Sequence, residues 1–334
     1  MFPRRVRRAV ALCSCFTWIC VSGSCRHSSS TDLATGTKAQ GRRSVELVYE
    51  TTISGFPEGA GSARIWLPIP ESDDTQFVEG VSVETPLPYS VHKEKQYGNR
   101  LVYVEARSPL PSEIPIKIRA RIHRREVTSG ANVPAACRRS RLLTGDRLAP
   151  LNFQATSRAA RAIQGRVSNR SKARGIYEQV LREVDYDKSG SGWGKGDLAY
   201  VCDAGKGNCS DFHTLFIAMS RAAAIPALFE IGLPLPRDQS EGTIGGYHCW
   251  AWYQTDDGAW SPVDVSEADK RPSRADYFFG TLCENRVAFA RGRDLILEPV
   301  QDGGPVNFLI YPYVEVDGET SVATIEKTFR FKNL

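Results

Sequence analysis

From residue 44 to about 127, hydrophobic and polar positions alternate with a period of two. Val45, Leu47, Tyr49, Thr51 and Ile53 share one face, and Leu101, Tyr103, then Ile114, Ile116, Ile118 and Ile122 repeat the pattern. Such alternation belongs to strands with one face in a core. Gly55-Phe56-Pro57, Pro68-Ile69-Pro70, Pro86-Leu87-Pro88 and Tyr97-Gly98-Asn99 interrupt it. Residues 44–127 are therefore expected to form an antiparallel β-sandwich of about six or seven short strands. No cluster of convergent polar residues falls in this stretch, so a scaffold or docking role is expected of it. Residues 128–156, with Pro134, Gly145 and Pro150, form a connector.

The period then lengthens. A short helix is expected near 158–167 and a firmer one over 172–184, where Ile176, Val180, Leu181 and Val184 share a face. A third, over 209–223, puts Leu215, Phe216, Met219 and Ala222 on one side and is stopped by Pro226. Strand-like runs return at 227–232, at Tyr247-His248-Cys249-Trp250-Ala251-Trp252-Tyr253 and at 260–265, with Asp256-Asp257-Gly258 as a hairpin turn. A polar loop spans 234–245. The tail, 306–316 and 321–331 around Asp317-Gly318, has the pattern of a hairpin that completes a sheet. The glycine-rich stretch 186–197 lacks Gly-Lys-Ser/Thr and follows no clear strand, which excludes a phosphate loop and a nucleotide. It is expected to be a mobile loop beside a cleft, with Trp193 as a substrate platform.

The first residues differ from the rest. Arg4, Arg5, Arg7 and Arg8 precede an apolar run from Ala9 to Val21 and then small residues before Cys25. This is the order of an export signal, over residues 1–25. Ser22-Gly23-Ser24-Cys25 resembles a relaxed lipobox, which would make Cys25 a lipid anchor and the protein a membrane-tethered lipoprotein of the cell envelope. A plain signal peptide and secretion is the alternative. Residues 26–43, rich in Ser, Thr, Gly and charge, are expected to be a flexible tether. The formal charge of +5 rests on the leader: without its four arginines, 43 basic residues become 39, against 38 acidic. Nucleic acid is therefore not an expected partner. The basic run Arg119 to Arg125 alternates with apolar residues and reads as a strand with a solvated face.

Chemistry concentrates in Gly205-Lys206-Gly207-Asn208-Cys209-Ser210-Asp211-Phe212-His213. A cysteine at a helix start meets the positive end of the macrodipole and unpaired N–H groups, both of which favour the thiolate. His248 and Asp264 follow on successive strand-like runs, the order of a nucleophile, its base and the base's orienter. His213 is a rival base, but it lies one turn along the same helix and is better placed for packing. Cys249 adjoins His248 and should point to the opposite face of its strand, into the core or a disulfide, with Cys202 as one candidate partner. With Cys209 set aside, Cys137, Cys202, Cys249 and Cys283 leave the disulfide pairing open. No CxxC or HxxxH pair suggests a metal, and no cofactor is expected.

The motifs Gly207-Asn208-Cys209-Ser210-Asp211, Arg221-Ala222-Ala223-Ala224-Ile225-Pro226-Ala227, Gly246-Tyr247-His248-Cys249-Trp250-Ala251 and Trp260-Ser261-Pro262-Val263-Asp264 resemble, in that order, the transglutaminase-like superfamily. The resemblance implies an α+β fold: a papain-like catalytic domain, here residues 157–334 with the C-terminal hairpin, behind the β-sandwich. It also implies a Cys209–His248–Asp264 triad acting on protein or peptide substrates through a thioester. Hydrolysis, deamidation and transamidation all remain open, as does a catalytically inactive binding module that keeps the fold. The oxyanion would face the Cys209 N–H and a second donor, for which Trp193, Asn208 and Tyr247 are the candidates.

Overall fold

The computed structural model describes residues 41–131, 137–320 and 322–334. The expected leader 1–25, the lipid-anchor candidate Cys25, the tether as far as residue 40 and part of the connector lie outside the described residues. Six strands open the chain: β1 (Arg42–Ser54), β2 (Ser62–Pro68), β3 (Gln76–Glu84), β4 (Tyr89–Lys93), β5 (Arg100–Arg107) and β6 (Glu113–Arg125). Along β1 the alternating residues Val45, Leu47, Tyr49, Thr51 and Ile53 are buried, as the period of two requires. On β6 Ile114, Ile116, Ile118, Ala120 and Ile122 do the same. Arg124 follows in that phase and is also buried, donating to Thr75, so the face of the basic run is not wholly solvated.

The expected tether ends sooner than residue 43. Arg42 and Arg43 pair with Arg125 and Arg124 across β6. The Arg43 guanidinium also donates to the carbonyls of Pro236 and Gln239 and to Asn285 Oδ1. Polar residues carry no apolar signal, and only these distant partners make them a strand.

Later strands are β7 (Ala227–Pro234), β8 (Glu241–Ile244), β9 (His248–Gln254), β10 (Trp260–Val263), β11 (Arg286–Arg291), β12 (Tyr313–Val316) and β13 (Thr324–Asn333). One five-stranded sheet has the order β8-β13-β1-β6-β3; the other runs from a two-residue return, Glu319–Thr320, through β12-β2-β5-β4. Their inner faces share one hydrophobic cluster, in which Val45, Leu47 and Ile53 meet Ile65, Leu67 and Val104. The sequence places the tail in one hairpin. In the structure β12 pairs with β2 and β13 with β1, in opposite sheets. The Asp317-Gly318 turn is present, both residues at positive φ. The Asp317 carboxylate, however, accepts the N–H groups of Gly61 and Ser62, which ties the turn to the start of β2. The expected polar loop likewise contains β8, which pairs with β13.

The α-helices of six or more residues are α1 (Phe153–Ala162), α2 (Asn169–Glu183), α3 (Leu198–Ala204), α4 (Cys209–Ala222) and α5 (Val265–Lys270). The first begins earlier than its apolar pattern suggests, because Asn152 Oδ1 caps the N–H groups of Gln154 and Ala155. Its buried face is Ala155, Ala159 and Ala162, too small to register as periodicity. The four-stranded antiparallel sheet β10-β9-β7-β11 backs α4. Cys249, Ala251 and Tyr253 belong to the cluster that holds α4, whereas Trp250 and Trp252 enter a second cluster. Both indole N–H groups donate to the buried Glu230 carboxylate, at 2.5 and 2.8 Å. That network fixes the rotation of β9 and with it the place of His248 at the strand's head. From residue 41 onward, sandwich and core form one compact unit.

Candidate active site

The start of α4 is built by an acidic residue the sequence did not single out for chemistry. Asn208 and Asp211 make a reciprocal capping box. Asn208 Oδ1 accepts the Ser210 N–H at 2.8 Å, and the Asp211 carboxylate accepts the Asn208 N–H at 2.9 Å. The same carboxylate accepts the N–H groups of Gly194 and Gly196, at 2.7 and 3.1 Å. It thus ties the glycine loop to the helix. Gly207 is required here, since a Cβ would stand 2.4 Å from Asp211 Oδ2. Arg293 reinforces the tie by donating to Thr214 Oγ1 and to the Lys195 carbonyl. The loop expected to be mobile is anchored over 194–196. Trp193, half-buried beside it, donates its indole N–H to the Gly190 carbonyl at 3.1 Å.

Cys209 is the first residue of α4 and 2% exposed. Its thiol lies close enough to Cys249 and His248 for both to lower its pKa. The His248 Nε2 lies 2.8 Å from Asp264 Oδ2. A carboxylate only accepts, so Nε2 carries the proton and Nδ1 is left for the thiol. Asp264 does not lie within a strand: β10 stops at Val263, and Asp264 caps α5. Its Oδ1 accepts the Glu267 N–H at 3.1 Å and the Ser266 hydroxyl at 3.3 Å. The Asp264-x-x-Glu267 spacing is a helix-start signature that the strand-like run before it masked. Arg286 Nη2 approaches the Oδ2 that His248 uses, at 3.3 Å, and no local pattern in the sequence points to it.

His213 has both nitrogens engaged. Nδ1 lies 2.7 Å from the Cys209 carbonyl and Nε2 accepts the Val265 N–H at 3.0 Å. A carbonyl cannot donate and an amide cannot accept, so the partners force the neutral Nδ1–H tautomer. Burial lowers its pKa, against the pull of Asp264. For His248 burial also acts downward, but the Asp264 charge and hydrogen bond outweigh it and lift the pKa to about 9. Asp264 is lowered: burial opposes ionisation, and His248 and Arg286 overcome it. Cys209 is held well below the ordinary thiol range, first by Cys249, against burial, then by His248.

Tyr247 and Asn208 meet beside the thiol. Asn208 Nδ2 donates to the Tyr247 hydroxyl at 3.1 Å, and that hydroxyl lies 3.0 Å from Ser210 Oγ. All five described cysteines are free, so the Cys202–Cys249 pairing is not formed. Cys249 faces α4 instead, with Sγ 3.7 Å from His213 Nδ1 and 3.8 Å from Ser210 Oγ. Among the described residues no group of three or more His, Cys, Asp or Glu is arranged to hold a metal, and no helix is long and apolar enough to cross a membrane.

Residues 156–265 match the transglutaminase-like superfamily. An uncharacterized protein of Haemophilus influenzae is 30% identical over 192 residues, which are 48% of this chain and 52% of that protein. The chain thus spans about half the length of this curated relative. A "putative cysteine protease" from Cytophaga hutchinsonii superposes with a TM-score of 0.58 at 15% identity, over 88% of this chain and 91% of that one. The periplasmic domain of TgpA from Pseudomonas aeruginosa gives 0.36 at 15% identity, over 70% and 90%. The Cytophaga likeness is one of fold. The chain carries a transglutaminase-like core, and its fold is mixed α and β with an antiparallel N-terminal sheet region.

Proposed function

We propose that the transglutaminase-like core of this chain is a cysteine-dependent acyl-transfer enzyme acting on protein or peptide substrates. One observation carries the reading: a buried cysteine opens α4, α4 packs on β9, and β9 begins with a histidine whose Nε2 is 2.8 Å from a buried aspartate. In this reading Cys209 Sγ attacks the carbonyl carbon of a carboxamide or peptide bond as His248 holds the thiol proton. His248 then protonates the departing ammonia or amine, leaving a thioester, and Asp264 keeps the ring's tautomer and orientation. The oxyanion meets the Cys209 N–H, with the amide of Asn208 and the hydroxyl of Tyr247 as further donors. Water completes hydrolysis or deamidation, and an amine completes transfer.

Iodoacetamide labelling resolved by peptide mass spectrometry tests the nucleophile. Cys209 of the wild type should react at mildly acidic pH where the other cysteines are silent, and Cys209→Ala should lose all covalent turnover. A Cys209 rate that only climbs through pH 8–9 would sink the mechanism and leave an inactive binding module. New peptide termini then mark hydrolysis, and released ammonia with or without incorporation of an added amine separates transfer from deamidation. We further propose export and anchoring through Cys25, which the basic, apolar, small order of residues 1–25 supports. Detergent partitioning of wild type and Cys25→Ala checks it: both in the aqueous phase means no lipid.

A further inference from the structure

Asp264 Oδ2 serves two buried cationic side chains from different parts of the chain. His248 Nε2, at the head of β9, lies 2.8 Å from it, and Arg286 Nη2, at the head of β11, lies 3.3 Å from it. Oδ1 is filled by the Glu267 N–H and the Ser266 hydroxyl, so the two side chains must share one oxygen. Asp264 is fully buried and Arg286 is 6% exposed. A buried guanidinium is a costly way to fasten β11 to α5. Its Nε has no partner among the described residues, and Nη1 donates to the neighbouring Asn285 carbonyl at 3.3 Å. The two-pronged grip that makes arginine–carboxylate pairs strong is not formed. Glu267 Oε2 stands 3.6 Å from Nη2, but that carboxylate already has Lys270 and Arg271 at 3.1 Å each. The charge of Arg286 therefore acts chiefly on Asp264.

We propose that Arg286 is a positioning residue of the His248–Asp264 pair: by sharing Oδ2 with the imidazole, it limits how tightly His248 holds its proton. The use of this in catalysis rests on the acyl-transfer reading, in which His248 must hand a proton to the departing amine. An imidazole left alone with a buried carboxylate holds that proton too firmly for the transfer. The directions agree with the geometry. Burial pushes the His248 pKa down, Asp264 lifts it and Arg286 lowers it again, which leaves it at about 9. The other titratable groups that face the pair are Cys209 and His213 from α4, Cys249 from β9, Glu267 from α5 and Tyr177 from α2. None of these five donates a side-chain hydrogen bond to Oδ2, so Arg286 is the group that competes directly with His248 for it.

The test titrates the His248 imidazole by NMR in the full chain with labelled histidine, its signals assigned by their loss in His248→Ala. Wild type is set beside Arg286→Met and Arg286→Gln, which lose the charge, and Arg286→Lys, which keeps it. Without the charge the His248 midpoint should rise by about one pH unit. The alkaline limb of turnover should move with it, and the rate on the plateau should fall. Arg286→Lys should hold the midpoint near the wild-type value. His213, committed to the Cys209 carbonyl and the Val265 N–H, should keep its neutral tautomer in every variant and serves as the internal control. Gln still fills the space and can donate to Oδ2, so it carries the test if the methionine variant does not fold. A lower melting temperature with the His248 midpoint in place would make Arg286 a structural tie between β11 and α5, and that result overturns the proposal. A lysine variant that shifts as far as the glutamine one overturns it too. A midpoint that moves as expected in a chain whose Cys209 labels as an ordinary thiol supports the shared-oxygen coupling and sinks the nucleophile reading instead, so the two failures are told apart.

Discussion

At the scale of single residues the proposed mechanism needs an ion pair, and that pair has a bounded working range. Cys209 is depressed, so it is anionic above its pKa; His248 is raised to about 9, so it is cationic below that pH. The thiolate–imidazolium pair therefore exists between the two values. It is lost when Cys209 gains a proton on acidification and when His248 loses one near pH 9. Turnover should fall on both sides, whereas alkylation, which needs only the thiolate, should fall on the acid side alone. His248→Ala should turn Cys209 labelling into the steep rise of a free thiol. His213→Ala should keep the low-pH limb, because its imidazole is already committed to the Cys209 carbonyl and the Val265 N–H. It should instead lower stability by about 2 kcal/mol or more, since a buried donor and acceptor are orphaned. The opposite pattern would move the base onto the helix. At Asp264, Asn preserves the cap on α5 while Ala removes it and leaves Arg286 buried beside a void. Chemical denaturation should find Asp264→Ala less stable than Asp264→Asn by about 2–3 kcal/mol.

At the scale of elements, α4 is held from outside as much as by its own residues. One carboxylate, Asp211, accepts three backbone N–H groups from two segments of chain. Asp211→Ala should cost about 2–3 kcal/mol by leaving those donors unpaired. It should also free the glycine loop, read as faster proteolysis between residues 187 and 197 at temperatures where the wild type is intact. Gly196 has φ +61°, and a Cβ there would stand 2.5 Å from Thr214 Oγ1. Gly196→Ala should reproduce the loosening through strain, with no change of charge. A loop cleaved no faster in either variant would mean that the tie does not restrain it.

At the scale of the whole molecule, the two halves of the chain share their structure. β13, the last strand, lies between β1 and β8, and β8 comes from a loop of the transglutaminase-like half. The sandwich is therefore completed by residues from both ends of the chain. Removal of residues 324–334 should expose the long edge of β1 and yield an aggregating protein. The intact chain should unfold in one calorimetric transition. Two resolved transitions, with a truncated chain that stays soluble, would show that the transglutaminase-like half stands alone.

The sequence by itself determined what local periodicity and residue chemistry can carry. The alternation of β1 and β6, the α4 start at Cys209 and the order Cys209, His248, Asp264 are all visible in runs of a few residues. What it could not contain are contacts between residues far apart in the chain. Arg286 belongs to no local motif, and its contact with Asp264 exists only where β11 lies beside that residue. Arg42 and Arg43 become strand residues because β6 lies opposite. The tail divides between two sheets because their free edges, formed by β1 and β2, accept it more widely than a hairpin would. Cys249 was placed on the correct face by alternation. Only the packing of β9 on α4 decided that this face meets Ser210 and His213 in the first turns of α4.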